Sequence, residues 1–393
     1  MKHLKVLIAS DGYRVDINGV ARITAIHADE MRRRGLEVKV LTLSDRKISY
    51  KKGDDYYIRS YRSFLFPEWK KSHVRKHAYI DEIIKWRPDI IHIHTEGVTC
   101  IMAYMISEAC NTPIIMTSHT DYTKYVFGKF NKCFPITLIS AVWGFFVYRR
   151  AAFVILPSKK ALIFDQHRFI KDRAVIMSNG IHLQDFRKVY TPGERRELMN
   201  KYGLSDNNKI LLIVSRLGRE KKISDVLEWM PMLLADDPGI QLVIVGDGPY
   251  RKKLEKEAVE LNISSSVKFI GRIPPEQIYR YYDMGTIFVS ASDFEVNSLA
   301  CLEAMACGLP LVCRNDECLE GVLEAGKNGY IFETGEEFCR YVSELLLNEE
   351  LRIKMGDNSR KRADDFDDRG FVDRMLEIYD RVITGHERII YNE

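Results

Sequence analysis

Short apolar runs of four to six residues recur along the chain, each followed by a longer stretch whose apolar positions return every three or four residues. That alternation of periods predicts strands joined by helices, the pattern of βαβ units and parallel sheets. In the first half the strands are expected at Lys5 to Ser10, Glu37 to Leu43, Ile90 to His94, Pro113 to Ser118, Ala152 to Leu156 and Ala174 to Met177. Helices fit between them, for example Ile23 to Arg34. The pattern restarts at Lys209 to Val214 and runs on through Gln241 to Val245, Val267 to Ile270, Thr286 to Val289 and Leu309 to Cys313, which predicts a second Rossmann-like domain. Tyr190, Thr191, Pro192 and Gly193 break the periodicity, so a linker is expected within Phe186 to Gly193. The expected domains are residues 1–187 and 191–370, with the last stretch, 371–393, a candidate to pack back on the first. The fold class is α/β: two Rossmann-like domains with parallel sheets facing across a cleft, which is where ligands meet the carboxyl ends of such strands.

Composition adds little until the chain is divided. With 393 residues, 46% hydrophobic and 29% charged, each half can bury its own core, and a small binding module or a disordered chain is excluded. Residues 1–190 hold 32 basic against 18 acidic side chains, a net +14, whereas residues 191–393 come to −10. So uneven a division predicts that the first half meets something anionic: nucleic acid, lipid headgroups or a phosphorylated substrate. The eight cysteines contain no C-x-x-C pair and no zinc spacing, and read as reduced thiols of a cytoplasmic protein. The apolar run at Val6 to Ala9 is too short for a signal segment. The uncharged stretch of 16 residues from Cys133 to Tyr148 falls short of a bilayer span and is expected as a buried or interfacial helix. The acidic group Asp364, Asp365, Asp367 and Asp368 is expected to face solvent rather than bind a metal.

The chemistry gathers in Ser292 to Pro310. Glu295 lies on a loop after a strand, and Glu303 lies inside the helix that follows. The first amides of that helix, at Ser298, Leu299 and Ala300, make an anion site suited to a diphosphate. Glu303 is then placed to accept from ribose hydroxyls, and Glu295 to reach the group beyond the phosphates. Arg216 and Lys221 follow the first strand of the second half; a guanidinium and an ammonium together form a phosphate clamp. Gly19, in Asn18-Gly19-Val20, lets backbone approach a phosphate closely. The turn Gly246 to Pro249 lacks the third glycine of a dinucleotide fingerprint, so a nicotinamide cofactor is not expected.

These segments resemble the retaining glycosyltransferases of the GT-B fold, family 4. Glu295 and Glu303 match the family's E-x7-E motif, with Leu302 to Pro310 reading LEAMACGLP, and Ser215 to Lys221 resembles its R-L-x-x-E-K segment. Ser178-Asn179-Gly180-Ile181, Val245 to Pro249 and Phe269 to Pro274 are similar as well. The resemblance implies that Arg216 and Lys221 neutralise the donor diphosphate, that Gly246, Arg272 and Ile273 lie near the nucleotide, and that His119 stands against the donor sugar with Asp121 nearby. It implies transfer with retention of configuration, no essential metal, Glu295 orienting sugar hydroxyls, and a departing phosphate that helps to deprotonate the acceptor. Asn297-Ser298 stands where many members carry Phe-Gly or Gln-Gly, and a glycine's access to positive φ is lost there.

Cys313 to Val322, Asn328-Gly329-Tyr330 and His119 to Tyr125 resemble bacterial diacylglycerol α-glucosyltransferases, which are peripheral membrane enzymes. The implied reaction moves glucose from UDP-glucose to diacylglycerol or a similar lipid at the inner face of the cell membrane, with no nucleic acid partner. Docking candidates are Trp69, Lys70, Lys71, Arg75 and Lys76, after the apolar Phe64-Leu65-Phe66, and the stretch from Lys124 to Arg150 with Trp143. Two alternatives stand beside this reading. One is the same chemistry with GDP-mannose or UDP-GlcNAc, or with a phosphoinositol lipid or soluble polysaccharide acceptor; the other is a nucleotide-sugar-binding module without turnover.

Overall fold

The computed structural model describes residues 3–14, 16, 18–62, 70–72, 76–120, 142–163, 170–188 and 191–385, and in it the apolar runs form two separate sheets. The chain divides into two units, Met1–Gly180 with Asp368–Glu393, and Ile181–Asp367.

In the first unit the strands are β1 (Lys5–Ser10), β2 (Glu37–Leu43), β3 (Tyr50–Lys52), β4 (Asp55–Ile58), β5 (Tyr61–Arg62), β6 (Lys70–Lys71), β7 (Ile90–Ile93), β8 (Ile114–Thr117), β9 (Phe153–Leu156) and β10 (Ala174–Ile176). The main sheet runs β10-β9-β8-β7-β1-β2-β4-β3 and is parallel except for the edge pair β3–β4; β5 and β6 form a small antiparallel ribbon. Strand order reverses between β1 and β7, which opens a gap at their carboxyl ends. Val6 to Ala9 are completely buried, as a strand covered on both faces requires. The helices Gly19–Arg33 (α1), Ala78–Trp86 (α2) and Val98–Cys110 (α3) connect the strands. The C-terminal helix Asp368–Ile383 contributes Phe371, Val372, Met375 and Tyr379 to the same core as Val6, Ile8, Ile90 and Ile115.

Asp11, just past β1, secures the reversal. Its carboxylate accepts from Val98 N (3.1 Å), Thr99 N (2.8 Å) and Thr99 Oγ1 (2.7 Å), and so caps α3, whose own N-cap Gly97 has no side chain. A Cβ on Gly97 would come within 1.7 Å of Asp11 Oδ2.

In the second unit β11 (Lys209–Val214), β12 (Ile240–Val245), β13 (Val267–Gly271), β14 (Ile287–Ser290), β15 (Leu311–Arg314) and β16 (Gly329–Phe332) form one parallel sheet ordered β13-β12-β11-β14-β15-β16. Apolar clusters lie on both of its faces, and the order reverses between β11 and β14.

Several expectations need correction. The first helix starts at Gly19, a turn before Ile23, because Asn18 Oδ1 caps it by accepting from Ala21 N at 2.8 Å. The boundary falls after Gly180, not within Phe186 to Gly193: Ile181, Leu183 and Phe186 are buried in the second unit's core. Pro192 and Gly193 open a helix, Pro192–Lys201, with a capping box between Thr191 and Glu194; proline suits a first turn, where its missing N–H is not needed. Of the acidic group, Asp368 is buried, only 3% exposed. Strands β3, β4, β5, β6 and β16 were not anticipated from the pattern. Residues 142–148 are helical, with Val142, Trp143 and Phe146 exposed but Val147 and Tyr148 buried; the rest of Cys133 to Tyr148 lies outside the described residues. No described helix is long and apolar enough to cross a membrane.

Gly97→Ala should expel the Asp11 carboxylate from the α3 amides and destabilise the first unit by about 1–3 kcal/mol. Denaturant unfolding followed on that unit checks this; an unchanged midpoint would mean that Asp11 does not hold the reversal.

Candidate active site

Lys221 ends a single helical turn, Arg219–Lys221, entered from β11, and Glu295 lies on the loop leaving β14. The two strands are neighbours at the reversal, so residues 74 apart in sequence meet: Lys221 Nζ donates to Glu295 Oε1. They line a small recess with Ser215, Ser290, Ser292 and Ser298. Arg216 pairs with Glu220 four residues on, at 2.5 Å. The helix Leu299–Ala306 starts beside Glu295, with Ser298 as N-cap, so Leu299 and Ala300 form its first turn. Ser298 has φ −84° and ψ 93°, an extended backbone that does not use the positive φ open to a glycine.

Glu303 sits deeper than its expected ribose role suggests. It is 2% exposed and accepts from Tyr282 Oη at 2.8 Å, inside the core beneath the helix. Gly246 holds φ +135°, and a Cβ there would fall 1.9 Å from Ser215 O, so glycine is required for β11 and β12 to deliver their loops side by side. Gly246 N donates to Gly271 O at 2.9 Å, which brings Arg272 and Ile273 to the end of β13; Arg272 is exposed and Ile273 half-buried.

In the first unit His119 follows β8, half-buried, its Nε2 3.0 Å from His94 Nδ1. His94 belongs to a group that sequence reasoning missed: His27, His92 and His94 are all fully buried. His92 lies between Tyr379 Oη (2.6 Å) and Thr117 Oγ1 (2.7 Å). Burial holds all of them below the ordinary histidine range, His92 and His119 at about 3, and neighbouring imidazoles add to the effect for His27, His92 and His94. The rings are therefore neutral near pH 7. The signal was present in Ile91-His92-Ile93-His94, where alternation sends both histidines to one face.

Gly19 is the first residue of α1 rather than a loop residue. Lys70, expected as a surface cation, is tied into the first unit by Asp16 Oδ2 (2.7 Å) and Leu43 O (3.3 Å). Lys71 and Lys76 are exposed, whereas Trp69, Arg75 and Asp121 lie outside the described residues. Among the described residues no cluster of His, Cys, Asp or Glu could hold a metal ion.

Residues 17–185 match the family model described as Glycosyltransferase Family 4, and residues 194–362 match that of Glycosyl transferases group 1. An alpha-monoglucosyldiacylglycerol synthase of Streptococcus pneumoniae is 27% identical over 92% of this chain and 85% of that protein. One from Acholeplasma laidlawii is 26% identical over 91% and 92%. Among solved structures, Thermosynechococcus elongatus sucrose-phosphate synthase superposes with a TM-score of 0.77 at 18% identity, covering 97% of this chain and all of that one. Anabaena HepE, solved in complex with UDP-glucose, gives 0.73 at 17% over 96% and 100%.

Unfolding exposes the buried imidazoles to water, where each binds a proton with its ordinary value near 6.5. Below that pH the unfolded chain holds protons that the folded chain refuses. The stability from His27, His92 and His94 is thus complete above pH 6.5 and declines as pH falls below it, by about 1.4 kcal/mol per pH unit for each. Thermal unfolding between pH 7.5 and 5.5 should lower the first unit's midpoint more than that of the second, whose one histidine is His182; equal declines would mean that these rings are not buried as neutral groups.

Proposed function

The chain belongs to glycosyltransferase family 4, and from that premise we propose that it transfers glucose from UDP-glucose to diacylglycerol or a closely similar membrane lipid, with retention at the anomeric carbon. The observation that carries the reading is the meeting of Lys221 and Glu295 at the β11/β14 reversal, beside the first turn of Leu299–Ala306. A helix N-terminus and an ammonium suit a diphosphate, and a carboxylate at the same point suits sugar hydroxyls. The names of the two lipid synthases similar over most of the chain support the lipid acceptor.

On donor binding the diphosphate takes Lys221 from Glu295 and Arg216 from Glu220. Glu295, released, accepts from hydroxyls of the sugar, and His119 meets another. Glu303, whose carboxylate accepts from Tyr282, meets the ribose hydroxyls. The bond from the anomeric carbon to the phosphate oxygen then breaks with its electron pair on the phosphate. The acceptor hydroxyl bonds to the same face of that carbon, and its proton passes to the departing phosphate. Lys221, Arg216 and the helix amides stabilise the charge that develops there, a role for which no metal is needed. Attachment to the lipid surface is peripheral and uses Lys71 and Lys76 with the apolar side of residues 142–148, where Val142 and Phe146 are exposed beside Arg149.

Nucleotide release from UDP-glucose, UDP-galactose, UDP-GlcNAc and GDP-mannose, with and without diacylglycerol in anionic micelles, tests donor and acceptor together. Stimulation of UDP-glucose turnover by diacylglycerol is expected; stimulation of a different donor, or by soluble sugars alone, would replace this reading with one of its alternatives. Lys221→Ala should weaken UDP binding about 10- to 100-fold, the loss of one charged hydrogen bond. Glu295→Gln should bind UDP at least as tightly while losing most transfer, and calorimetry beside the release assay separates the two effects. Equal loss of UDP affinity in both variants would count against the exchange.

A further inference from the structure

His92 and His94 alternate at the end of β7, so their rings leave the same face of the first sheet. Thr117 and His119 alternate in the same way at the end of the adjoining β8. Two rungs result: His92 Nε2 to Thr117 Oγ1 at 2.7 Å, and His94 Nδ1 to His119 Nε2 at 3.0 Å. The rings of His92 and His94 stack at 4.3 Å, and those of His94 and His119 at 5.3 Å with planes 11° apart. His27, itself stacked on Phe371 at 4.2 Å, closes over His94 at 5.5 Å.

Two nitrogens of His94 must share one proton, because a neutral imidazole is a donor at one and an acceptor at the other. Nε2 is buried and has no hydrogen-bond partner among the described residues. A proton there would bury a bare N–H, and orphaned donors are the rarer defect in folded proteins. The proton therefore belongs on Nδ1, which points at His119 Nε2, and that nitrogen must accept. His119, neutral too, is left with its own proton on Nδ1. We propose that His94 is a positioning residue that fixes His119 as the Nδ1–H tautomer, so that His119 presents a hydrogen-bond donor to the substrate oxygen it meets. The proposal rests on the assignment of His119 to the sugar in the proposed reaction. It gives that assignment a direction: with its lone pair occupied by His94, His119 does not act as the base, and the acceptor's proton goes to the departing phosphate.

An amide can replace one edge of an imidazole: asparagine carries its NH2 near the place of Nδ1, and phenylalanine keeps only the stack. His94→Phe should lower kcat about tenfold, the worth of one positioned hydrogen bond, with little change in the donor KM. His94→Asn should recover most of that loss. UDP affinity, read in the second unit, should not move in either. A purely packing role predicts the opposite order, because phenylalanine fills the stack better than asparagine, and that order would overturn the proposal. Nitrogen-15 spectra of the histidine rings, with His119 assigned by its absence in His119→Gln, read the tautomer directly in the unaltered protein even if the His94 variants fold poorly. A protonated Nδ1 with bare Nε2 is expected; a protonated Nε2 would overturn the inference and leave the proposed function standing. If the native protein turns over no nucleotide sugar, the functional reading fails instead, and the spectra still decide the tautomer.

Discussion

The buried attachment of Asp11 to the first turn of α3 is the constraint on which the first unit's chemistry depends. Burial raises the pKa of this carboxyl, while bonds from Thr99 and Val98 and the charge of Lys70 act against that shift. The same stretch is joined twice more: His94 N donates to Ala9 O at 2.9 Å, and Asp11 N donates to Thr95 Oγ1 at 2.8 Å. Residues 94–99 are thus fastened to residues 9–11 across the reversal of strand order. His94 leaves the sheet from a backbone with no slack, so its ring can hold a neighbour in one orientation. Gly97 is the local requirement, since a side chain there would occupy the position of the carboxylate.

The second unit repeats the geometry with different chemistry. Ser215 N donates to Val245 O at 3.1 Å and Leu217 N to Asp247 O at 3.0 Å, so the loops leaving β11 and β12 run side by side before Lys221 turns towards β14. Leu217 is fully buried and anchors that path. Where the first unit keeps rings neutral by withholding water, the second keeps ions partly solvated: Lys221 and Glu295 are 18% and 23% exposed. Such a pair is stabilised modestly and exchanges partners readily, as the proposed binding and release of a charged nucleotide requires.

What was legible in the sequence follows from range. The strands β1, β2 and β11 stand in the structure with the bounds read from their apolar runs, because a strand buried on both faces needs no partner to declare itself. Strand β3 is hidden by Lys51 and Lys52, which are tolerable only at a sheet edge, and β16 begins at a glycine. Pro192 looked like a break because its place in a first turn depends on the Thr191–Glu194 box. Resemblance to family motifs brought Lys221 and Glu295 under suspicion together, whereas Asp16 at Lys70 and Tyr379 at His92 lie 54 and 287 residues away and carry no local mark. Side chains whose partners come from the topology are the ones that pattern alone misassigns.

The charge asymmetry along the chain takes a different meaning from these pairings. The net of +14 over residues 1–190 survives any pairing, but Lys70, Arg14, Arg32, Arg33 and Arg34 are not part of the free excess, because all five hold carboxylates within the first unit. In the second unit Arg216 and Lys221 are matched by Glu220 and Glu295. An anion entering either unit at these residues exchanges one carboxylate for itself instead of neutralising a bare charge. The exchange favours a ligand that brings more than one negative charge to a point, because single partly exposed ion pairs are worth about 0–1 kcal/mol and a diphosphate engages two cations and a helix terminus at once. Charge density at the ligand, more than net charge of the protein, then decides what binds, and in the proposed reaction the carboxylate set free at Glu295 becomes available at the moment the sugar arrives.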